Sequence, residues 1–386
     1  MSKRSLKILI LKKSGCFLPS TLQGCADTYV RLGHIIKVID LDLLKEEILE
    51  REVIEARSDF VFCINHMGLP PELLLKVKIP HACWFIDDPF YWVKEDPASS
   101  YRAIFIWDKA FIPKLKKFGF NHVYPLPHCA NQEIFHKVDF SDSDLKEYRC
   151  DVSFMGGSYY RSFEILEGLL KEWNETKIRE ISDEVIRIQS ENLSLHIYDI
   201  LETVQAMHQY YIPFADREGM IMFGRILAGA ASSRYREKVV NSLTRFDLRL
   251  YGDGGWENLL KGEKVKYLGF VPDRDILKLF IASKINLNLA TTQIKTILGE
   301  RPFEILAVGG FVLTDYCSDI GSLFELDKEI ACFREAGELE EKIGYFLNHP
   351  KEREEIARRG QERVLREHTY KHRMEQLVNT MRRIFG

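Results

Sequence analysis

The chain has 386 residues, 46% hydrophobic, 12% aromatic and 29% charged, with a formal net charge of −3. At about 100–200 residues per domain this length implies two domains with a cleft between them, and the composition excludes a disordered chain. The near-neutral charge excludes an overall basic binder of nucleic acid or anionic membrane, and no nucleic-acid partner is expected.

The amino-terminal MSKRSLKILILKK carries basic flanks around an apolar run, with no small-residue cleavage site after it. The run is too short for a signal peptide and reads as a first strand. No stretch reaches the ~20 apolar residues of a transmembrane helix, since GMIMFGRILAGAA is broken by Arg225. A cytoplasmic protein without a transmembrane segment is the expectation. The eight cysteines, at 16, 25, 63, 83, 129, 150, 317 and 332, include no CxxC and read as reduced core thiols.

Six β-rich runs follow one another over 1–130: LKILIL (6–11), IIKVIDL (35–41), FVFCIN (60–65), ACWFID (82–87), AIFIW (103–107) and HVYPLP (122–127). Continuous apolar strands alternating with helical segments predict a parallel sheet covered on both faces, a doubly wound, Rossmann-like α/β domain. The polar stretch over 131–149 reads as a linker. Strand-like runs then resume as DVSFM (151–155), DLRLYG (247–252), VKYLGF (265–270), KINLNLA (284–290), GFVLTD (310–315) and EIACF (329–333), predicting a second α/β domain over 150–369. Between Met155 and Asp247 lie about ninety residues, where a crossover needs a few tens. Their helical periodicity, with Ser182 as an N-cap, predicts a helical insertion over about 163–245. The tail from Pro350 is helical, with a break around His368 and Thr369 that leaves a last helix over 370–386.

MGGSYYR follows the strand that opens the second domain. Gly156 and Gly157 would let the backbone approach a phosphate, Ser158 would donate a hydrogen bond to it, and Arg161 would neutralise charge. LYGDGGW ends another strand with three glycines, so Tyr251 and Gly252 could lie against a flat base or sugar; a plain glycine-rich turn is the alternative. In RPFEILAVGGFVLTD the odd residue is Glu304. Pro302 suits a helix start and Gly309-Gly310 a helix exit, so the helix is placed from about Pro302 to Val308. At such a start Glu304 could accept hydrogen bonds from ribose hydroxyls and Arg301 could pair with a diphosphate. An acid that merely favours the helix dipole carries equal weight on local pattern alone.

The run from Ile285 to Leu377, with RPFEILAVGGFVLTD and the SLFELDKEIACF segment after it, resembles the C-terminal domain of the CgeB-like (spore maturation protein) glycosyltransferases, of the GT-B class. DVSFMGGSYYR and LYGDGGW add to the likeness, CWFIDDP carries a looser one in the amino-terminal half, and the insertion lies outside it. The resemblance implies a GT-B fold: two Rossmann-like domains facing across a cleft, the acceptor on the N-terminal side and a nucleotide-sugar donor on the C-terminal side. It also implies a last helix that crosses back onto the first domain. The implied activity transfers a sugar from a nucleotide-diphosphate sugar, a UDP-sugar being expected, to an unidentified glycan, protein or small-molecule acceptor, without metal or other cofactor.

Glu304 matches the family's ribose-binding acid. The second Glu that many retaining members carry eight residues earlier is here Thr296, which leaves the stereochemistry open. YLGFVPDRD resembles the segment where such enzymes contact the base through main-chain groups around Phe270 and Val271; a short edge strand followed by the helix cap Asp273 is the alternative. Lys295 either faces the diphosphate or, with more weight, is an exposed lysine. Arg301 and Arg161 would stabilise the leaving diphosphate.

In the first domain Asp87 and Asp88 stand just past a strand's carboxyl end, where Asp87 could act as the base that deprotonates an acceptor hydroxyl. Capping a helix or holding the turn before Pro89 is the plainer role for either one. His66 is the alternative base and His128 could reach the cleft, although a lone histidine at a strand end is more often structural. Gly15 reads as a close-approach turn, and Trp84, Phe90, Tyr91 and Trp92 as a sugar-stacking wall or, more safely, as packing.

Two other activities stay open: a nucleotide-sugar epimerase or hydrolase on the same scaffold, and a non-catalytic nucleotide-sugar-binding or assembly protein. The insertion, with YYIPF (210–214) beside SSRYREK (232–238), could dock an acceptor, pair two subunits into a homo-oligomer, or do neither.

Overall fold

The computed structural model describes residues 4–16, 19–94, 96–262 and 264–386, so the first three residues of the amino-terminal basic run lie outside it. The chain forms two compact units, Met1–Ile134 with Arg366–Gly386, and Phe135–Leu365.

In the first unit each of the six apolar runs forms a strand: β1 (Lys7–Lys12), β2 (Ile35–Asp40), β3 (Phe60–Ile64), β4 (His81–Phe85), β5 (Arg102–Ile106) and β6 (His122–Pro125). All pair in parallel in the order β2-β1-β3-β4-β5-β6. Every residue of β3, β4 and β5 is buried, because helices cover both faces of a parallel sheet, and this is why those strands read as unbroken apolar runs. Tyr29, Phe62, Trp84 and Phe105 form the core together with Tyr370, Met374, Leu377 and Met381 of the last helix, Tyr370–Phe385. Arg373 holds that helix in place, donating from Nε to Pro127 O (2.8 Å) and from Nη2 to His128 O (3.1 Å).

The second unit repeats the architecture with β7 (Cys150–Met155), β8 (Leu248–Tyr251), β9 (Lys266–Tyr267), β10 (Ser283–Asn288), β11 (Val312–Asp315) and β12 (Ala331–Phe333), again all parallel, in the order β12-β11-β10-β7-β8-β9. β9 is shorter than the predicted run, because it is an edge strand and the chain turns away at Gly269 (φ +73°). Four helices, Tyr160–Trp173, Thr176–Glu191, Ile197–Met207 and Arg217–Ser242, lie between β7 and β8. They bury a core of their own, with Leu166, Leu170, Ile181, Val185, Leu201, Val204, Phe223 and Leu227. Ser182 does not cap a helix there. It is buried inside Thr176–Glu191, where its hydroxyl donates to Ile178 O (2.7 Å), and the cap is Glu175, which accepts from Lys177 N (3.2 Å). All eight cysteines are buried and unbridged. Among the described residues no helix is long and apolar enough to cross a membrane.

One buried charge organises the first unit. Arg102 has a fully buried side chain and pairs with Asp96, whose side chain is 4% exposed. The same guanidinium donates to Leu69 O (2.8 Å) and to Met67 O, pinning the loop after β3. An Asp96→Ala substitution leaves this guanidinium buried without its counter-ion, so urea unfolding is expected to show a loss of about 3–5 kcal/mol.

Candidate functional site

In the second unit the strand order reverses between β10 and β7, and open α/β sheets form their ligand crevice outside the strand carboxyl ends at such a switch point. The predicted glycine loops meet there, and their glycines serve each other's backbones. A Cβ on Gly252 would stand 2.3 Å from Gly156 O, and one on Gly255 would stand 2.3 Å from Ser158 Oγ. Gly156 O accepts from Trp256 Nε1 (2.9 Å), and Gly156 N donates to Tyr251 O (2.9 Å).

Ser158 does not offer its donors to a phosphate. Its amide donates to Asp253 Oδ2 (2.7 Å) and its hydroxyl to Asp253 Oδ1, and that carboxylate also accepts from Gly255 N (3.0 Å). The acid inside LYGDGGW therefore ties the β7 and β8 loops together. Arg161 lies on the helix surface with 80% of its side chain exposed and pairs with Glu164 (3.3 Å). Tyr251 and Val271 are buried, whereas Phe270 is 77% exposed.

Sequence reasoning missed Arg236, taking its run for surface. Arg236 is buried in the helix Arg217–Ser242 and donates from Nη1 to Gly157 O (2.5 Å) and from Nη2 to Leu289 O (2.7 Å). It thereby bridges the ends of β7 and β10 across the switch point. Its guanidinium also lies over the rings of Tyr159 (5.0 Å) and Phe154 (5.4 Å). Burial pulls its pKa below the usual arginine value. The preceding Tyr235 donates its hydroxyl to Asp315 Oδ1, and Asp315 Oδ2 accepts from Ala290 N (2.6 Å), joining the ends of β10 and β11. Burial pushes the Asp315 carboxyl from 3.8 up to about 6, against the pull of the Tyr235 and Ala290 donors.

Glu304 sits in the helix Arg301–Ala307, 9% exposed, with Arg301 Nη1 2.7 Å from its Oε2. Burial raises its pKa while Arg301 lowers it. Arg301 is thus engaged by Glu304, with 36% of its side chain exposed. The glycines that follow behave as a helix exit: Gly309 has φ +88°, and a Cβ on Gly310 would stand 2.7 Å from Phe280 O.

Lys295 is neither exposed nor turned toward a diphosphate. It is 7% exposed, and its ammonium donates to Leu193 O (3.0 Å), Leu195 O (2.5 Å) and Thr292 O, bracing the loop after β10 against the helical insertion. Thr296 contributes its carbonyl to Asp319 N (2.7 Å).

In the first unit the order reverses between β1 and β3. Gly15 (φ +75°), Asn65 (φ +54°), His66 and Asp87 follow β1, β3 and β4 at that carboxyl edge. Both ring nitrogens of His66 engage backbone: Nε2 with Leu11 O (3.2 Å) and Nδ1 with Gly68 N (3.1 Å). Burial holds its pKa down at about 4. His66 therefore clamps a loop instead of waiting as a base. His128 is likewise buried against Trp107 (4.9 Å), with its pKa lowered to about 3 by burial and by Arg373. Asp88 caps the short helix Pro89–Tyr91 through Phe90 N (2.9 Å), while Asp87 is exposed and accepts from Asn65 Nδ2 (2.6 Å). Trp84 and Phe90 are core residues, which leaves Tyr91 and Trp92 as the more exposed members of the aromatic set.

The family described as "Glycosyl transferase-like" matches residues 234–379, which hold Tyr235, Arg236, Asp253, Glu304 and Asp315. No curated protein matches the chain. Among solved structures the chain is similar to a glycosyltransferase from Rickettsia africae, with 11% identity, 99% of each chain covered and a TM-score of 0.60. It is similar as well to Anabaena HepE in complex with UDP-glucose, with 12% identity over 98% of this chain and 100% of that one, TM-score 0.56. A third is T4 phage BGT in complex with its UDP-glucose substrate, with 11% identity over 98% and 99%, TM-score 0.52. The two doubly wound units are those of the GT-B fold.

Because the folded Asp315 carboxyl titrates above its ordinary value, the folded protein binds the extra proton between about pH 4 and pH 6. This group's contribution to stability therefore falls as pH rises through that window. Urea unfolding is expected to show wild type losing stability relative to Asp315→Asn between about pH 4 and pH 7.

Proposed function

We propose that the protein is a GT-B glycosyltransferase that moves a sugar from a nucleoside-diphosphate sugar, a UDP-sugar first, to an acceptor hydroxyl. The observation that carries this reading is Glu304, a carboxylate buried in an apolar helix, oriented by Arg301 and lying inside the segment that the glycosyl transferase-like family matches. Two similar structures hold UDP-glucose, which supports the choice of nucleotide. The likeness of 285–377 to the CgeB-like proteins is part of the same proposal.

The second unit binds the donor. Glu304 accepts hydrogen bonds from the ribose hydroxyls, the exposed Phe270 packs on the base, and the Gly156–Gly157 turn lets the diphosphate approach backbone. Arg301 and Arg161 are the cations for the leaving group, by sharing or exchanging the ion pairs they make with Glu304 and Glu164. The first unit supplies the base. In the reaction the acceptor oxygen bonds to the anomeric carbon as the bond from that carbon to the diphosphate breaks. Asp87 takes the acceptor's proton, and the nucleoside diphosphate leaves with the electron pair. The protein's own cations carry the role a metal would have, although T4 phage BGT has been solved with UDP and Mn2+.

Calorimetric titration and thermal shift with UDP test the donor site. Wild type is expected to bind UDP, and Glu304→Gln to bind it about 10–100-fold more weakly, as for a lost hydrogen bond to a charged group. Absence of binding by wild type, or equal binding by the variant, overturns the donor-site reading, and an isomerised free nucleotide sugar produced without acceptor overturns the transferase reading. Transfer is expected to survive EDTA; an absolute need for added Mn2+ sinks the metal-independent mechanism.

A further inference from the structure

Asn65 follows β3 with a left-handed backbone (φ +54°) and is 1% exposed. Its Nδ2 donates to Cys16 O (2.8 Å), after β1, and to Asp87 Oδ2 (2.6 Å), after β4. Its Oδ1 accepts from Ile86 N (2.8 Å) and Asp87 N (3.3 Å). An amide side chain has two donors and two lone pairs, so the full hydrogen-bonding capacity of this one is engaged. Reversing the amide would set its oxygen against a carbonyl and a carboxylate, and its nitrogen against two N–H groups. The network therefore admits a single orientation, and Asn is among the few residues that tolerate the left-handed conformation it needs.

We propose that Asn65 is a positioning residue for sugar transfer, fixing the carboxylate of Asp87 at the switch point of the first sheet so that it meets the acceptor hydroxyl. The inference rests on the reading of Asp87 as the base. Three of the four bonds hold loops together, and a purely architectural residue would need only those. The fourth, at 2.6 Å, is the shortest and goes from a buried amide to the side chain of an exposed residue, where it does nothing for the backbone. What it does is hold one oxygen of that carboxylate in a fixed direction, favouring a single rotamer. A base misplaced by about 1 Å loses on the order of 10²-fold in rate, so one fixed oxygen is worth having.

The test uses the full chain, measuring UDP release from UDP-glucose with water as acceptor, for Asn65→Gly, Asp87→Asn and the double variant. Glycine suits the positive φ, and Asn65→Asp serves as a second substitution that keeps the acceptor oxygen while removing both donors. Each Asn65 variant is expected to lower the rate about 10–100-fold with UDP affinity unchanged. The double variant is expected to be no slower than Asp87→Asn, because residues acting as one unit are not additive. Fully additive losses would mean that Asn65 only holds loops, and the inference falls while Asp87 stands. An Asp87→Asn protein as fast as wild type removes the base assignment itself, and the inference with it. Crystal structures need no turnover: Asp87 is expected to leave its wild-type rotamer in Asn65→Asp, and an unmoved carboxylate overturns the proposal.

Discussion

The second unit depends on what one guanidinium does at the strand switch. Where a parallel sheet reverses its winding, the chain leaves adjacent strands in opposite directions, and the carbonyls at the strand ends lose the neighbours that would pair with them. Arg236 supplies those partners from the long helix of the insertion, meeting Gly157 O and Leu289 O while its flat face covers Tyr159 and Phe154. A buried cation held by carbonyls and aromatic faces needs good geometry to offset its desolvation. The loops around it are accordingly constrained: a Cβ at Gly156 would meet the Phe154 ring and Arg236 itself, and those at Gly252 and Gly255 would meet Gly156 O and Ser158 Oγ. The insertion, by carrying Arg236 and receiving Lys295, is part of the frame of the crevice.

The first unit solves the same problem with a neutral group. Asn65 spans its switch point as Arg236 spans the other, and both are buried side chains whose partners lie on loops from different strands. The polar residues nearest the crevices therefore divide into two populations. Arg236, Lys295, Ser158, Asp253, Asn65 and His66 hold loops in place, while Arg301 and Asp87 keep part of their side chains at the surface and Glu304 is buried against Arg301. The first population is large because loop backbone near a crevice carries N–H and C=O groups that neither helix nor sheet satisfies.

Much of the fold was legible in the sequence. Strands such as FVFCIN and ACWFID were plain because parallel strands buried on both faces leave unbroken apolar runs, and the insertion was plain because a crossover of about ninety residues needs its own core. Glu304 stood out because a carboxylate in an apolar helix is costly without a partner. The roles of Ser158, Lys295 and His66 were not legible. Each stands in a strand-end loop where a ligand or a carbonyl could equally take its hydrogen bonds, and residue type does not distinguish the two. Asp253 was passed over between conspicuous glycines, and Arg236 sat in a helical run that resembled any charged surface.

The sequence by itself determined the two α/β units, the parallel strands, the inserted helices and the loops that gather at the carboxyl edges. These follow from periodicity and apolar content, which are local. Tertiary structure alone decided which polar side chain faces which loop, and so that Ser158 meets Asp253, Lys295 meets Leu193 and Leu195, and Arg236 joins β7 to β10. Those partners are 95, 102, 100, 79 and 53 residues apart along the chain, and hydrogen bonds at such separations are set by how the elements pack.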